Sequence, residues 1–287
     1  MGGDSPVFST HMLGILFALI SAATWGGGDF SGGLATRRMS QFQALTAGAM
    51  SGLVILLCLA LLLGEPVPSP TDILWSALAG VAAAVGVASL YSALAVGSSA
   101  IVAPTAAVIG AAVPVVFGSL FEGLPQATQL LGFLAGLLGI WLITRPASGA
   151  GPGDRRGLWS AITAGIGFGG YFVLIGQVRP GAVFAPVIVA KIVALLLGLA
   201  VLAMRREGLP SLRSMPIALL AGVLDAGGNI FYLLAQHATR LDVAAVLSSL
   251  YPAFTVILAY FVLSERISAA QWAGVTLCIV AISLIAI

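Results

Sequence analysis

FEGLPQATQLLGFLAG, residues 121–136, and SERISAAQWAGVTLCI, residues 264–279, are two versions of one pattern. In each, a glutamate closes an apolar run, and a glutamine and a glycine open the next. Glu122, Gln129 and Gly132 stand against Glu265, Gln271 and Gly274. The copies lie half a chain apart, so what fills the interval decides the fold. It is filled by apolar runs, and a spanning helix needs about 20 mostly apolar residues. Turn signals and charges divide the chain into ten such runs, near 12–34, 41–63, 71–96, 99–121, 127–144, 158–178, 182–204, 214–236, 242–263 and 268–287. The longest connection, RPASGAGPGDRR (145–156), falls at the midpoint. The spacing therefore predicts two five-helix units, 12–144 and 158–287. An odd number of crossings per unit reverses the second relative to the first. The expectation is an all-α polytopic membrane protein with ten transmembrane helices, two inverted five-helix repeats around a central cavity. A weaker match of TWGGGDFSGG (24–33) to GIGFGGYFVL (165–174) sets Asp29 against Tyr171.

Composition points to the same solvent. Of 287 residues, 60% are hydrophobic and 8% charged, where a soluble domain carries roughly a quarter charged. Lipid must face most of the surface. A net charge of +2 is no footprint for nucleic acid. Cys58 and Cys278 sit inside apolar runs and have no zinc spacing, so no metal, disulfide framework or cofactor is expected. No GxxxxGK[ST] loop appears, which argues against a pump driven by its own ATPase. No basic residue precedes the apolar run near Met12, which reads as a spanning helix rather than a cleaved leader. Nine arginines (37, 38, 145, 155, 156, 205, 206, 213 and 266) fall in odd-numbered connections and two, Arg179 and Arg240, in even ones. The bias predicts odd connections in the cytoplasm and both termini outside.

Two five-helix repeats, with a glutamate ending the fourth helix of each, resemble the EamA-type branch of the drug/metabolite transporter superfamily. SSLYPAFTVILAYFVLSERISAAQWAG (248–274) carries the likeness best. The first half departs from it in having Gly123 where Arg266 follows Glu265. The resemblance implies a multi-pass protein of the bacterial inner membrane that exports small metabolites through a central cavity, and within the branch the chain is similar to the YddG-like amino acid exporters. Amino acids are the expected substrates, with other metabolites or drugs as the alternative.

Glu122, Glu265, Asp242 and Arg240 fall at helix ends, where water or headgroups are expected to solvate them. Asp29, Lys191 and Asp225 lie deeper, and each costs at least a few kcal/mol there unless paired or hydrated. Lys191 and Asp225 fall at similar depths on consecutive runs, so an ion pair is expected. It would either fix packing or meet the charged ends of a zwitterion. In AGVLDAGGNIFYLLAQ (221–236), Asp225, Asn229, Tyr232 and Gln236 share one helical face. That stripe is read as cavity lining or as glue between helices. Ser21, Trp25 and Asp29 form a second stripe, and Tyr91, Tyr171 and Tyr251 stand well inside their helices. The candidate substrate-binding set is Trp25, Asp29, Tyr91, Tyr171, Lys191, Asp225, Asn229, Tyr232 and Tyr251. Lys191 is its one basic member, which disfavours a phosphate carrier, since such a site wants clustered Arg or Lys.

Gly132 and Gly136 are read as packing rather than self-association, and a monomer is expected. An enzyme reading starts from GGGD (26–29), which fits the Gly-x-Gly-Asp of intramembrane aspartyl proteases, with Asp225 as the second carboxylate. Leu224 stands where that family has Tyr, and no Pro-Ala-Leu segment follows, so no catalytic residue is assigned. Rocking of the first five-helix bundle against the second, with bends near Pro104, Pro114 and Pro252, is the expected route to alternating access.

Overall fold

Each apolar run is helical, because in lipid a backbone must satisfy its own hydrogen bonds. The computed structural model describes residues 10–96, 99–144, 155–211, 215–264 and 266–286; the side chains of 91–96, 99–103, 155 and 156 lie outside that description. Its helices are α1 (Thr10–Ala35), α2 (Gln41–Leu63), α3 (Pro70–Val96), α4 (Ser99–Phe121), α5 (Ala127–Thr144), α6 (Arg155–Ile175), α7 (Phe184–Arg205), α8 (Met215–Ala238), α9 (Leu241–Ser248), α10 (Tyr251–Leu263) and α11 (Ala269–Ile285). No strand occurs among the described residues. Among the described residues nine segments, with Leu241–Leu263 counted once, are long and apolar enough to cross a bilayer, and Ala269–Ile285 is a shorter apolar helix. Leu61 and Leu62 are 81% exposed and Phe261 74%, side chains that lipid and not water must cover. The chain is a multi-pass membrane protein.

The repeated glutamines act at helix starts. Ser268 and Gln271 close a capping box on α11, and Ser40 and Gln43 do so on α2. At α5 the Gln126 N–H donates to Gln129 Oε1 at 3.2 Å. Such caps satisfy backbone donors that the helix leaves free. Gly123 has φ +90°, a left-handed conformation that glycine adopts freely. The turn after Glu122 thus accounts for a glycine there.

The ninth run does not form one helix. Its 242–263 span divides into α9 and α10 at Ser249–Leu250, with Pro252 in the first turn of α10. Proline has no N–H to offer the carbonyl four residues back, here that of Ser248. Pro104 and Pro114, in contrast, sit inside an unbroken α4.

Helices pair across the halves rather than within them. α1 packs on α8, α9 and α10, and α2 packs on α8; in the same way α6 packs on α3 and α4, and α7 packs on α3. Contacts between α1 and α2, or between α7 and α8, are sparse. Two interlaced groups result: α1, α2, α8, α9 and α10 on one side, and α3, α4, α6 and α7 on the other. α5 packs on α11. The expected rocking of one sequence half against the other is therefore not the division that the packing supports.

Glycines let these backbones meet. A methyl on Gly48 would lie 3.4 Å from the Gly222 Cα, and one on Gly167 would lie 2.7 Å from Gly86. Gly26 meets the Tyr251 carbonyl as Gly165 meets that of Ala106. This register sets Phe168, not Tyr171, in the place of Asp29.

Candidate functional site: a cavity between the two groups

A cavity of about 630 Å³ lies where the interlaced groups face each other. α1 and the first residue after it line the cavity from Trp25 to Thr36, and α2 lines it from Gln41 to Ala49. Those stretches meet at the 36–40 connection, so the cavity runs from mid-depth to that face. The same face is tied by Ser40 Oγ donating to Glu207 Oε2 at 2.5 Å and by Gln43 Nε2 donating to the Gly208 carbonyl at 2.7 Å.

Polar locks close the opposite face. Arg240 donates to the Gly123 carbonyl at 2.7 Å and the Glu122 carbonyl at 3.2 Å, and the Leu241 N–H donates to Glu122 Oε2 at 3.2 Å. Burial pushes the Glu122 carboxyl above its ordinary value, opposed by that N–H. Glu65 caps the start of α7, accepting from the N–H groups of Val183, Phe184 (2.8 Å) and Ala185 (3.1 Å). A carboxylate there offsets the helix dipole. Arg179 pairs with Asp72 at 3.0 Å. Asp242, expected in water or headgroups, is fully buried instead, paired with Arg240 at 2.8 Å. Gly118 leaves the room: a methyl there would sit 3.1 Å from the Asp242 carboxylate. Glu265 lies outside the described residues.

Lys191 and Asp225 form the ion pair that their depths suggest. The Lys191 side chain is 15% exposed and that of Asp225 40%, so cavity water reaches the carboxylate more readily than the ammonium. Asn229 Nδ2 donates to the Asp225 carbonyl at 2.5 Å and to its Oδ1 at 3.3 Å, and Asn229 accepts from the Tyr171 hydroxyl. One network thus joins α6, α7 and α8.

The stripe on α8 divides. Asp225 and Asn229 line the cavity, whereas Tyr232 does not. Its side chain is fully buried and its hydroxyl donates to the Phe172 carbonyl at 3.0 Å. Tyr232 is glue between α8 and α6, tied to Phe172 by that hydrogen bond and by a ring contact at 4.8 Å. The cavity takes Trp25, Asp29, Tyr171, Lys191, Asp225, Asn229 and Tyr251 from the candidate set. The Tyr91 side chain lies outside the described residues. Trp25 is held edge-on to Phe172 at 5.6 Å and to Tyr251 at 6.5 Å, and stacks on Tyr232 at 6.0 Å. Gly228 makes space for it, since a methyl there would lie 2.4 Å from the indole. Sequence reasoning passed over Phe168, Phe172 and Ser249, which also line the cavity. The first two carry no polar signal, and Ser249 is exposed to it only through the α9–α10 break. No cluster of three or more metal-ligating side chains occurs among the described residues.

Apolar helices thus surround a cavity that opens at one face and has Asp29, Lys191 and Asp225 in a largely apolar wall. Residues 12–145 and 155–287 each match the EamA-like transporter family, and the chain belongs to that family. A solved crystal structure 17% identical in sequence has the same fold, with a TM-score of 0.76 over 94% of this chain and 95% of that one. No curated protein matches in sequence. The chain is a small-molecule transporter of the bilayer and not an enzyme.

Proposed function

We propose that the chain exports amino acids or similar small metabolites across a bacterial inner membrane by alternating access, as a monomer. The observation that carries this reading is the 630 Å³ cavity, open at one face, with Lys191, Asp225 and Asn229 at its inner end. Its volume is in the range of small-molecule sites, roughly 300–1,000 Å³. With the arginine-rich odd connections in the cytoplasm, the open face is the loading side. The paired packing of α1 on α8 and α6 on α3 supports two inverted repeats of five spans, now with interlaced groups as the moving bodies. Solute enters beside Asp225, the groups rock about the α2–α7 contact, and the Arg240 lock opens. Trp25, Tyr171 and Tyr251 contact the solute, while Tyr232 holds their scaffold.

Counterflow in proteoliposomes tests it. Liposomes loaded with an unlabelled amino acid should transiently accumulate the labelled one, and a pH gradient applied across them separates proton coupling from facilitated exchange. Absence of counterflow for every amino acid would remove the substrate reading.

A further inference from the structure

Arginines gather at the end of the α2–α7 contact that faces the cavity mouth. Arg37 and Arg38 lie in the turn after α1, and Arg205 and Arg206 end α7. All four are exposed, and the bond from Ser40 to Glu207 brings the two segments together. Glu207 is the one carboxylate in either segment. Among the acids outside the described residues, Asp154 is followed directly by Arg155 and Arg156, and Glu265 by Arg266. Neither could reach this corner without bringing positive charge of its own, and Asp4 precedes the opposite end of α1. The corner is therefore cationic.

Two of these side chains are set by their surroundings. The Arg205 guanidinium lies 4.5 Å over the Phe42 ring and 3.9 Å from the Glu207 carboxylate. Arg206 holds φ +57°, where the matching end of α2 has Gly64 at φ +64°. A left-handed conformation strains any residue with a Cβ, and an arginine kept there points to a use for its side chain. Below it, Ile192, Leu196, Leu199 and Ala203 of α7 are exposed. Their spacing of 4, 3 and 4 puts them on one face. That stripe is about 16 Å long at 1.5 Å per residue, close to one leaflet of a hydrocarbon core about 30 Å thick. The other end of the same helix pair differs. There Glu65 caps α7 and Arg179 is paired with Asp72, so that end has no cationic excess.

We propose that this corner binds the headgroup of an anionic phospholipid from the leaflet at the 36–40 face, with an acyl chain laid along the α7 stripe. Guanidinium groups suit a phosphate, because their paired N–H donors match its oxygens. A headgroup held by both segments bridges the turn after α1 to the end of α7. It thereby reinforces the contact that Ser40 and Glu207 already make, and steadies α2 against α7. The site lies outside the solute cavity and does not depend on which solute is carried.

Thermal unfolding of the purified protein in lipid-free detergent tests it, with phosphatidylglycerol, phosphatidylcholine or inorganic phosphate added. A ligand that binds only the folded chain raises the unfolding temperature, and phosphatidylglycerol should do so at least about twice as strongly as phosphatidylcholine. High salt should shrink that difference, and inorganic phosphate alone should produce little of it. Arg38→Gln/Arg206→Gly should lose at least half of the response to phosphatidylglycerol. Arg206→Gly alone relieves the left-handed turn. It should unfold no lower than the native chain in bare detergent yet respond less to phosphatidylglycerol, and it decides the matter if the double variant does not fold. Equal responses to the two lipids, a response to inorganic phosphate as large as that to phosphatidylglycerol, or an undiminished response in a folded variant would each overturn the assignment. Counterflow plays no part in this readout, so loss of the transport reading would leave the lipid site standing.

Discussion

Lys191 shows how one ammonium can be tolerated inside a bilayer. Its charge is met at once by Asp225, and the carboxylate's remaining oxygen accepts from Asn229, which is anchored by Tyr171. Breaking a buried pair leaves an uncompensated charge, and that is what destabilises. Lys191→Met should therefore lower stability by about 2 kcal/mol, at the low end because cavity water screens Asp225. The double variant Lys191→Met/Asp225→Leu should recover most of the loss. Thermal unfolding in detergent checks both, and equal losses in the single and double variants would show that the pair is not coupled. Tyr232 predicts a different signature. Tyr232→Phe removes one buried hydrogen bond, worth about 1 kcal/mol, and leaves solute affinity unchanged, since the ring does not border the cavity. A large affinity loss in that variant would move Tyr232 into the site. The charged and amide groups of this network were legible in the sequence, because polar residues in a lipid-spanning run must face inward. The division of the α8 stripe was not legible, because the long-range partner of Tyr232, the Phe172 carbonyl of α6, leaves no mark in spacing.

Elements are held by backbone contact where other proteins use side-chain interdigitation. Gly222 is pressed against Gly48 and Gly52 of α2, so any side chain there must push α8 away. Gly222→Val should cost several kcal/mol by overpacking and lower the yield of folded protein, whereas Gly33→Ala, with nothing within 4 Å of its added methyl, should be silent. The two variants compared by thermal unfolding test whether glycine contact or glycine content matters. Arg240 makes a prediction of another kind. It joins the α8–α9 turn to the α4–α5 turn through the Glu122 and Gly123 carbonyls, a contact between the two groups on the locked face. Arg240→Ala should raise the fraction of molecules open at that face, read as faster labelling of a cysteine placed at Ser249, which lines the cavity. Removing Arg240 also strands the buried Asp242, so the control is Arg240→Ala/Asp242→Asn. If neither variant labels faster, Arg240 is structural. Helix existence was legible throughout, because length and hydropathy suffice in lipid. The α9–α10 break was half legible: Pro252 announced a bend, but nothing local showed that the chain would stop and restart.

For the whole molecule, the interlaced packing was the least legible feature. Which helix meets which depends on flat glycine surfaces whose long-range partners no local pattern names. Its consequence is mechanical. α2 and α7 are joined at one end by Ser40, Gln43, Glu207 and Gly208 and at the other by Glu65 on the α7 start, so this contact is suited to act as the axle. On the far side α4 packs on α9, with the Arg240 lock at one end. Motion about such an axle would close the 36–40 face as the Arg240 face opens.

Cysteine accessibility in sided vesicles tests this motion most directly. In a chain with Cys58→Ser and Cys278→Ala, a cysteine is placed at Ala194, on the cavity wall in α7. A membrane-impermeant maleimide is then applied from either side, with and without solute at both faces. Labelling should occur from the 36–40 side at rest and from both sides during exchange. Labelling from one side only under every condition, solute turnover included, would contradict a cavity that alternates.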